Sequence, residues 1–259
     1  MTLDPSMSPP DGTRITWRAV GQALTRPYPV RLPMVLLVSL VPLYLVIADR
    51  AKAGPVHAPV TALDRLLPLA PVWAVVYGAL YAFLIVLPVL VVQQEELIRR
   101  TVWAYLTVWT VAYLVFLLYP TVAPRGDTVV GEGFAVWGLR FLYDADPPYN
   151  CFPSIHVAHS FVSALACYRV HRTLGVVALT CASLVAISTL LTKQHYVVDL
   201  IAGVFLALAA YGLFLRGYAR AHIPAIEHRL APVLACGLAG MVGVGVAGLW
   251  VAYKLGLQA

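Results

Sequence analysis

Seven long apolar runs, separated by polar segments, make up most of the chain. Each run is close to the ~20 residues that a helix needs to cross the hydrocarbon of a bilayer. An open sheet would leave backbone groups unpaired in lipid, so the runs predict helices rather than strands. The predicted spans are residues 32–48, 71–92, 102–119, 153–168, 174–191, 197–215 and 232–253. We therefore predict an all-α, polytopic membrane helix bundle.

The composition supports this prediction. Apolar residues make up 61% of the 259 residues and charged residues 12%, whereas soluble domains average about 45–50% and about 25%. Intrinsic disorder is excluded, because it requires low hydrophobicity and high net charge. The net charge of +6 is not concentrated in a basic run or a nucleic-acid-binding motif. The predicted partner is therefore the bilayer, and no nucleic acid is expected.

Loop charges predict the orientation of the bundle. With a cytoplasmic N-terminus, 11 of the 18 Lys and Arg residues lie on the cytoplasmic side and 7 on the other. Basic residues favour cytoplasmic loops, which supports this orientation. We expect a polar cytoplasmic N-terminal segment at 1–31 and a transmembrane catalytic bundle at 32–216. Residues 217–259 are expected to form a cytoplasmic loop and a C-terminal transmembrane helix.

Three polar clusters, at residues 119–127, 150–160 and 188–199, then fall on the non-cytoplasmic face. In the third cluster His195 and Asp199 are four residues apart, which places them on one face of a helix. A hydrogen bond to Asp199 would fix the tautomer of His195 and leave its other ring nitrogen as a nucleophile or base. The alternative is a His–Asp pair that only joins two helices.

The second cluster predicts an anion site at a helix start. Pro153 suits the first helical turn, and the unpaired N–H groups there attract negative charge. Ser154 would add a hydroxyl donor, and His156 would stand beside the anion as a proton donor. The alternative is a capped helix start with an interfacial histidine.

Two cations complete the predicted pocket. Arg125 comes from the first cluster and Lys193 from the third, and both residue types bind phosphate. The alternative is that both are ordinary charges at the membrane edge. Two histidines, a carboxylate and cations together favour phosphoryl transfer, which needs mainly positioning and charge stabilisation.

The spacing of these residues resembles the type 2 phosphatidic acid phosphatase superfamily. Residues 153–156 read Pro-Ser-Ile-His, and the segment 188–199 has Ser188, His195 and Asp199 at its first, eighth and twelfth positions. The family's corresponding motifs are Pro-Ser-Gly-His and Ser-Arg, five residues, His, three residues, Asp. The runs Tyr-Pro-Thr-Val-Ala-Pro-Arg at 119–125 and Thr-Lys-Gln-His-Tyr at 192–196 look more like the inositol phosphorylceramide synthase-like branch.

The resemblance implies a six-helix catalytic core, to which the span at 232–253 adds a seventh helix. It implies that His195 attacks phosphorus and carries a phosphohistidine, that Asp199 orients it, and that His156 protonates the leaving alkoxide. It also implies a metal-independent enzyme without a cofactor, acting on a lipid phosphate or phosphodiester. The residues expected to contact phosphate are Arg125, Ser154, Lys193 and Ser188.

The chain departs from the family pattern at three positions. Thr189 stands where the third motif has Arg, Ile155 stands for the glycine of the second motif, and Leu118 stands for a lysine of the first. Expected cations are therefore missing, and we hypothesise that Lys193 replaces them.

Two other classes of protein remain open from the sequence. One is a non-catalytic membrane transporter or structural protein with an interfacial charge cluster, although no paired Gly/Pro-broken helices of a transporter repeat are visible. The other is a metal enzyme with His156, His195 and Asp199 as zinc ligands.

Overall fold

The computed structural model describes residues 15–25, 31–126 and 129–257. Most of the predicted N-terminal segment 1–31 therefore lies outside the described residues, as does Asp127 of the first polar cluster. The described residues form ten α-helices and no β-strand longer than an isolated bridge. The helices are α1 (Trp17–Thr25), α2 (Arg31–Lys52), α3 (Ala62–Leu66), α4 (Val72–Val91), α5 (Glu95–Leu118), α6 (Phe134–Ala145), α7 (Ile155–Val170), α8 (Arg172–Leu191), α9 (Val197–Ala210) and α10 (Ala225–Lys254).

The prediction of an all-α membrane bundle is confirmed. Each of the seven apolar runs forms a helix, and a short π-helical segment, Tyr211–Leu215, extends α9. Within the described residues, α4, α5, α8, α10 and the combined stretch Val197–Leu215 are long and apolar enough to cross a bilayer. Helix α7 has only 16 residues and lies among the others.

Two helices begin earlier than the apolar pattern predicted. Helix α5 starts at Glu95 rather than at residue 102, because its first turns are stabilised by ion pairs of Glu96 with Arg99 and Arg100. Acidic side chains in the first turn also interact favourably with the positive end of the helix dipole. Helix α10 starts at Ala225 rather than at residue 232, so polar turns precede its apolar part.

Helix α6 was not predicted, because it lies in the long polar segment 120–150. Its 12 residues place Phe134, Trp137 and Phe141 three and four positions apart, which gives one apolar face. That face packs against α4 and α10. The segment is thus a short helix at the end of the bundle and not an open loop.

Helix α7 forms the centre of the bundle. It packs against α4, α5, α8 and α9, while α2 packs against α5. These six helices form the core, and α10 lies against α4 at the edge. Only His171 separates α7 from α8, and a Cβ atom at Gly175 would lie 2.2 Å from the Tyr168 Cα atom. Helix α7 also packs against α9, and the N-terminal ends of these two helices lie side by side.

Candidate active site

His195 lies in the turn between α8 and α9. Its Nδ1 atom is 3.3 Å from Asp199 Oδ2, and its backbone N–H donates to the Thr189 carbonyl over 3.2 Å. Asp199 Oδ2 also accepts from the Tyr196 N–H at 2.8 Å, which caps α9. Asp199 has no exposed surface and His195 is 4% exposed. The predicted pair is present, although His195 precedes the helix instead of lying on it.

The other side of the His195 ring faces the start of α7. His195 Nε2 is 3.0 Å from Ser154 Oγ and 3.3 Å from His156 Nδ1. Ser154 is the N-cap of α7, and its oxygen accepts from the Val157 N–H at 3.3 Å. Because Ser154 Oγ accepts that bond, its own proton is available for Nε2. Asp199, His195 and the start of α7 thus form one chain of polar contacts.

Close contact between α7 and α9 creates this arrangement. The Ser154 N–H donates to the Asp199 carbonyl over 3.1 Å. Beneath that bond a Cβ atom at Gly203 would lie only 2.7 Å from the Ser154 carbonyl oxygen and 3.2 Å from Val157 Cβ. Glycine at this position lets the two helices approach, which the apolar pattern did not reveal.

Arg125 joins the first polar cluster to the third. Its Nη1 donates to the carbonyl oxygens of Tyr143 and Asp146 at 3.2 and 2.7 Å. Its Nη2 donates to Gln194 Oε1 and lies 3.6 Å from Asp146 Oδ2. The guanidinium also lies 4.5 Å from the centre of the Tyr143 ring. Arg125 therefore fixes the residue that precedes His195.

Lys193 and Ser188, two of the predicted phosphate ligands, are bonded elsewhere. Lys193 Nζ donates to the carbonyl oxygens of Leu67 and Asp64, at 2.6 and 3.3 Å. Ser188 is buried, and its hydroxyl donates to the Val185 carbonyl within α8. The structure thus brings Ser154, His156, His195 and Asp199 together, with Arg125 beside them through Gln194. Lys193 instead contacts the connection around α3, and Ser188 bonds to a carbonyl within α8.

The α3 connection supports the start of α9. Asp64 Oδ1 accepts from the Val197 N–H at 2.9 Å, while its Oδ2 accepts from the Thr61 hydroxyl and N–H. Burial alone would raise the pKa of the Asp64 carboxyl. The hydrogen bonds from Thr61 and Val197, with the charge of Lys193, outweigh this effect and hold the pKa below its ordinary value.

Sequence reasoning missed several residues around the histidines. The rings of Tyr77 and Tyr81 on α4 lie nearly perpendicular to the His156 ring, with ring centres 5.7 and 5.0 Å away. Two tyrosines four residues apart in an apolar run were the available signal. Gln194 and Asp146 gave no signal, since their roles depend on the position of Arg125.

The residues do not fit the alternative of a zinc centre. No group of three or more His, Cys, Asp or Glu side chains is arranged to hold a metal ion within residues 15–25, 31–126 and 129–257. His195 presents Nε2 to His156 and Nδ1 to Asp199. The two partners therefore lie on opposite sides of the ring and do not converge on one point.

Comparison with known proteins agrees with the motif spacing. The profile of the PAP2 superfamily matches residues 43–213. The chain belongs to the PAP2 superfamily. The matched region runs from α2 to the π-helical segment after α9, so it includes every residue of the site. Membership in the PAP2 superfamily does not distinguish the inositol phosphorylceramide synthase-like branch, which stays a prediction.

Two curated relatives match parts of the chain. A PA-phosphatase related-family protein of Dictyostelium discoideum is 28% identical over 120 residues, which cover 42% of this chain and 22% of the relative. An uncharacterized protein of Methanocaldococcus jannaschii is 30% identical over 95 residues, which cover 37% of this chain and 39% of the relative. The chain thus spans well under half the length of these relatives. No solved structure matches it.

Proposed function

We propose that this PAP2 superfamily chain is an integral membrane enzyme that transfers a phosphoryl group from a lipid phosphate through a phosphohistidine at His195. The observation that carries the proposal is the position of His195. One ring nitrogen contacts the Asp199 carboxylate at 3.3 Å, while the other contacts Ser154 and His156 at 3.0 and 3.3 Å. The name of the Dictyostelium relative and the superfamily motifs support the same chemistry.

The nucleophile is Nε2. A carboxylate on Nδ1 keeps the proton of a neutral imidazole at that nitrogen and leaves a lone pair on Nε2. The same carboxylate stabilises the positive charge that develops on the ring when Nε2 forms a bond. Burial of Asp199 excludes water from this contact, which strengthens it.

The phosphate site lies at the start of α7. A helix N-terminus offers unpaired N–H groups and a favourable dipole to an anion, and Ser154 adds its hydroxyl. Arg125 Nε and Gln194 Nε2 are buried N–H donors without a hydrogen-bond partner among the described residues. Gln194 immediately precedes His195, and Arg125 bonds to its side chain, so Arg125 brings one positive charge close to the proposed phosphate site.

The reaction proceeds in two steps. In the first, the Nε2 lone pair forms a bond to phosphorus, the phosphorus–oxygen bond to the lipid breaks, and His156 gives its proton to the departing oxygen. In the second, an acceptor oxygen attacks phosphorus, His156 takes the acceptor's proton, and the nitrogen–phosphorus bond breaks to restore the lone pair. Only His156 moves protons between groups, so one histidine serves both steps.

Phosphohistidine trapping tests the proposal. The purified full chain is incubated with ³²P-labelled phosphatidic acid, quenched in base and analysed by mass spectrometry. We expect acid-labile phosphate on His195, absent in His195→Asn. The matched control is His57→Asn, since His57 stacks on Tyr119 at the same end of the bundle without contacting His195. An active His195→Asn variant would refute the mechanism.

The acceptor and the metal requirement are part of the same proposal. Water as acceptor gives a phosphatase, and a lipid hydroxyl gives a transferase of the inositol phosphorylceramide synthase-like branch. Product analysis with and without added ceramide or diacylglycerol distinguishes the two. We propose that neither reaction needs a metal ion, and turnover that stops in the presence of EDTA would contradict this.

The proposed orientation places the N-terminus in the cytoplasm and the site on the non-cytoplasmic face. It rests on the excess of Lys and Arg in the segments assigned to the cytoplasm. Protease digestion of N- and C-terminal tags in sealed vesicles of known sidedness tests it. An N-terminal tag accessible from the non-cytoplasmic side would reverse the assignment.

A further inference from the structure

An apolar groove lies beside the site, between α4, α6 and α10. Its cavity has a volume of about 490 Å³, which is within the range of ligand pockets. Small residues form much of its wall: Ala74, Gly78 and Ala82 on α4, Gly138 on α6 and Gly245 on α10. Because α10 lies outside the six core helices, the groove exists only through this additional helix.

The groove adjoins the site along α4. Residues of an α-helix are spaced by about 100° around the axis, so Ala74 and Gly78 occupy the sector next to Tyr77 and Tyr81. The two tyrosines contact His156, while Ala74 and Gly78 line the groove. One helix therefore presents neighbouring faces to the histidine and to the groove.

Helix α6 makes the same connection from the opposite wall. Leu142 lines the groove, and the next residue, Tyr143, packs on Arg125 and gives it a carbonyl acceptor. Arg125 in turn holds Gln194, which precedes His195. Both walls of the groove thus continue into residues that fix the two histidines.

Helix α10 forms the third wall, and its C-terminal end is held against α6. Trp137 Nε1 of α6 donates to the Leu257 carbonyl over 3.0 Å. The Tyr253 ring packs on Phe134 and Trp137, with centres 5.8 and 6.2 Å apart. These contacts hold the C-terminal end of α10 against α6.

We propose that this groove holds one hydrocarbon chain of the lipid substrate and thereby sets the preferred chain length. This inference rests on the function proposed above, because it assigns the apolar part of the same substrate. Ala74 and Gly78 line the groove and lie next to Tyr77 and Tyr81 around α4, so a chain in the groove is one helix face away from the tyrosines that contact His156. A phosphate at the start of α7 and a chain in the groove can belong to one molecule.

The groove acts through position and not through hydrophobic affinity. Lipid tails in the surrounding bilayer are as apolar as the groove, so transfer of a tail between them has little driving force. A chain held at a fixed place instead orients the phosphate against His195. Positioning of this kind is worth much in catalysis, since a misplacement of 1 Å costs about 100-fold.

Filling the groove tests the proposal. Gly245→Leu adds a side chain into open space, because no atom lies within 4 Å of a Cβ atom built there. The matched control is Gly240→Leu, which has equally open surroundings and points about 170° away from the centre of the groove-lining face of α10. Both changes replace glycine in the same helix, so they alter its helix propensity equally.

Phosphate release is measured from dioleoyl phosphatidic acid and from soluble dihexanoyl phosphatidic acid. We expect Gly245→Leu to lower kcat/KM for the dioleoyl substrate about tenfold relative to kcat/KM for the dihexanoyl substrate. A loss of this size is well within what misplacement of the phosphate can cost. Gly245→Ala should have a smaller effect, and Gly240→Leu should leave the ratio unchanged. Gly78→Leu, which fills the groove from α4, should repeat the Gly245→Leu result.

The other outcomes distinguish a failure of the groove inference from a failure of the proposed function. An unchanged ratio in both groove variants, or an equal fall for both substrates, overturns the tail-groove inference while the wild-type activity upholds the function. A change of oligomeric state by Gly245→Leu with an unchanged ratio assigns the groove to a second copy of the chain. Absence of wild-type turnover and of phosphohistidine instead overturns the proposed function.

Discussion

The contact between α7 and α9 predicts that Gly203→Ala damages both stability and catalysis. A Cβ atom at Gly203 would lie 2.7 Å from the Ser154 carbonyl oxygen, whereas unstrained carbon–oxygen contacts begin at about 3.3 Å. The start of α7 must therefore move by about 0.6 Å relative to α9. The obstacle is backbone, so a change of side-chain rotamer cannot relieve it.

The magnitude follows from the site distances. Ser154 Oγ is 3.0 Å from His195 Nε2, and the same shift would lengthen that contact to about 3.6 Å, beyond hydrogen-bond range. Overpacking of this kind costs about 1–3 kcal/mol of stability. A displacement of roughly half an ångström to one ångström at reacting groups lowers kcat/KM by about 10–100-fold.

The assay measures thermal unfolding in detergent and phosphate release well below the unfolding temperature. The matched control is Gly212→Ala, since nothing lies within 4 Å of a Cβ atom there. We expect Gly212→Ala to resemble the wild type in both measurements. If Gly203→Ala keeps wild-type stability, the helices do not approach as described. If it is unstable but fully active when folded, the position of Ser154 does not limit catalysis.

Three further predictions concern the residues around His195. Asp199→Asn should lower kcat by about 100-fold or more with little change in KM, because His195 loses the carboxylate that sets its tautomer; steady-state kinetics measure this, and a change confined to KM would contradict it. Lys193→Met should cost about 1 kcal/mol of stability through its lost carbonyl contacts. Thermal melts check that cost, and a kcat/KM loss above about 100-fold at unchanged stability would instead indicate a phosphate contact. The lowered pKa of Asp64 means that its contribution to stability is complete above about pH 4 and is lost as pH falls through the folded-state value. Asp64→Asn should therefore reduce the acid sensitivity of the melting temperature between pH 6 and 3, and an unchanged slope would refute the role of this carboxyl.

The spans could be predicted from the sequence because each is apolar along its whole length, whether its side chains face other helices or lipid. The closeness of His195 and Asp199 and a helix start near Ser154 were also predictable, since both depend on residues close in sequence. Helix α6 was missed because its 12 residues are too few to span a bilayer and stand within a longer segment that is polar as a whole. The early start of α5 was missed because its first turns are polar and pair Glu96 with Arg99 and Arg100, contacts that hydropathy does not record.

The residues that depend on tertiary contacts could not be predicted. Gly203 has no local signal, since its importance comes from a carbonyl on another helix. The direction of the Lys193 side chain also depends on tertiary contacts. Its position two residues before His195 suggested a phosphate ligand, but the backbone at Lys193 has a φ of 55°, and its side chain reaches the α3 connection. The phosphate role of Lys193 therefore stays a prediction, which the Lys193→Met measurements test.

The bond between the Ser154 amide and the Asp199 carbonyl has a consequence for biogenesis. The ribosome synthesises α7 before α9. When α7 enters the membrane, the Ser154 amide therefore still lacks the Asp199 carbonyl to which it donates. An inserted but unfinished chain contains the serine cap and His156 and lacks His195 and Asp199. The proposed site is therefore complete only after the last core helix enters the bilayer.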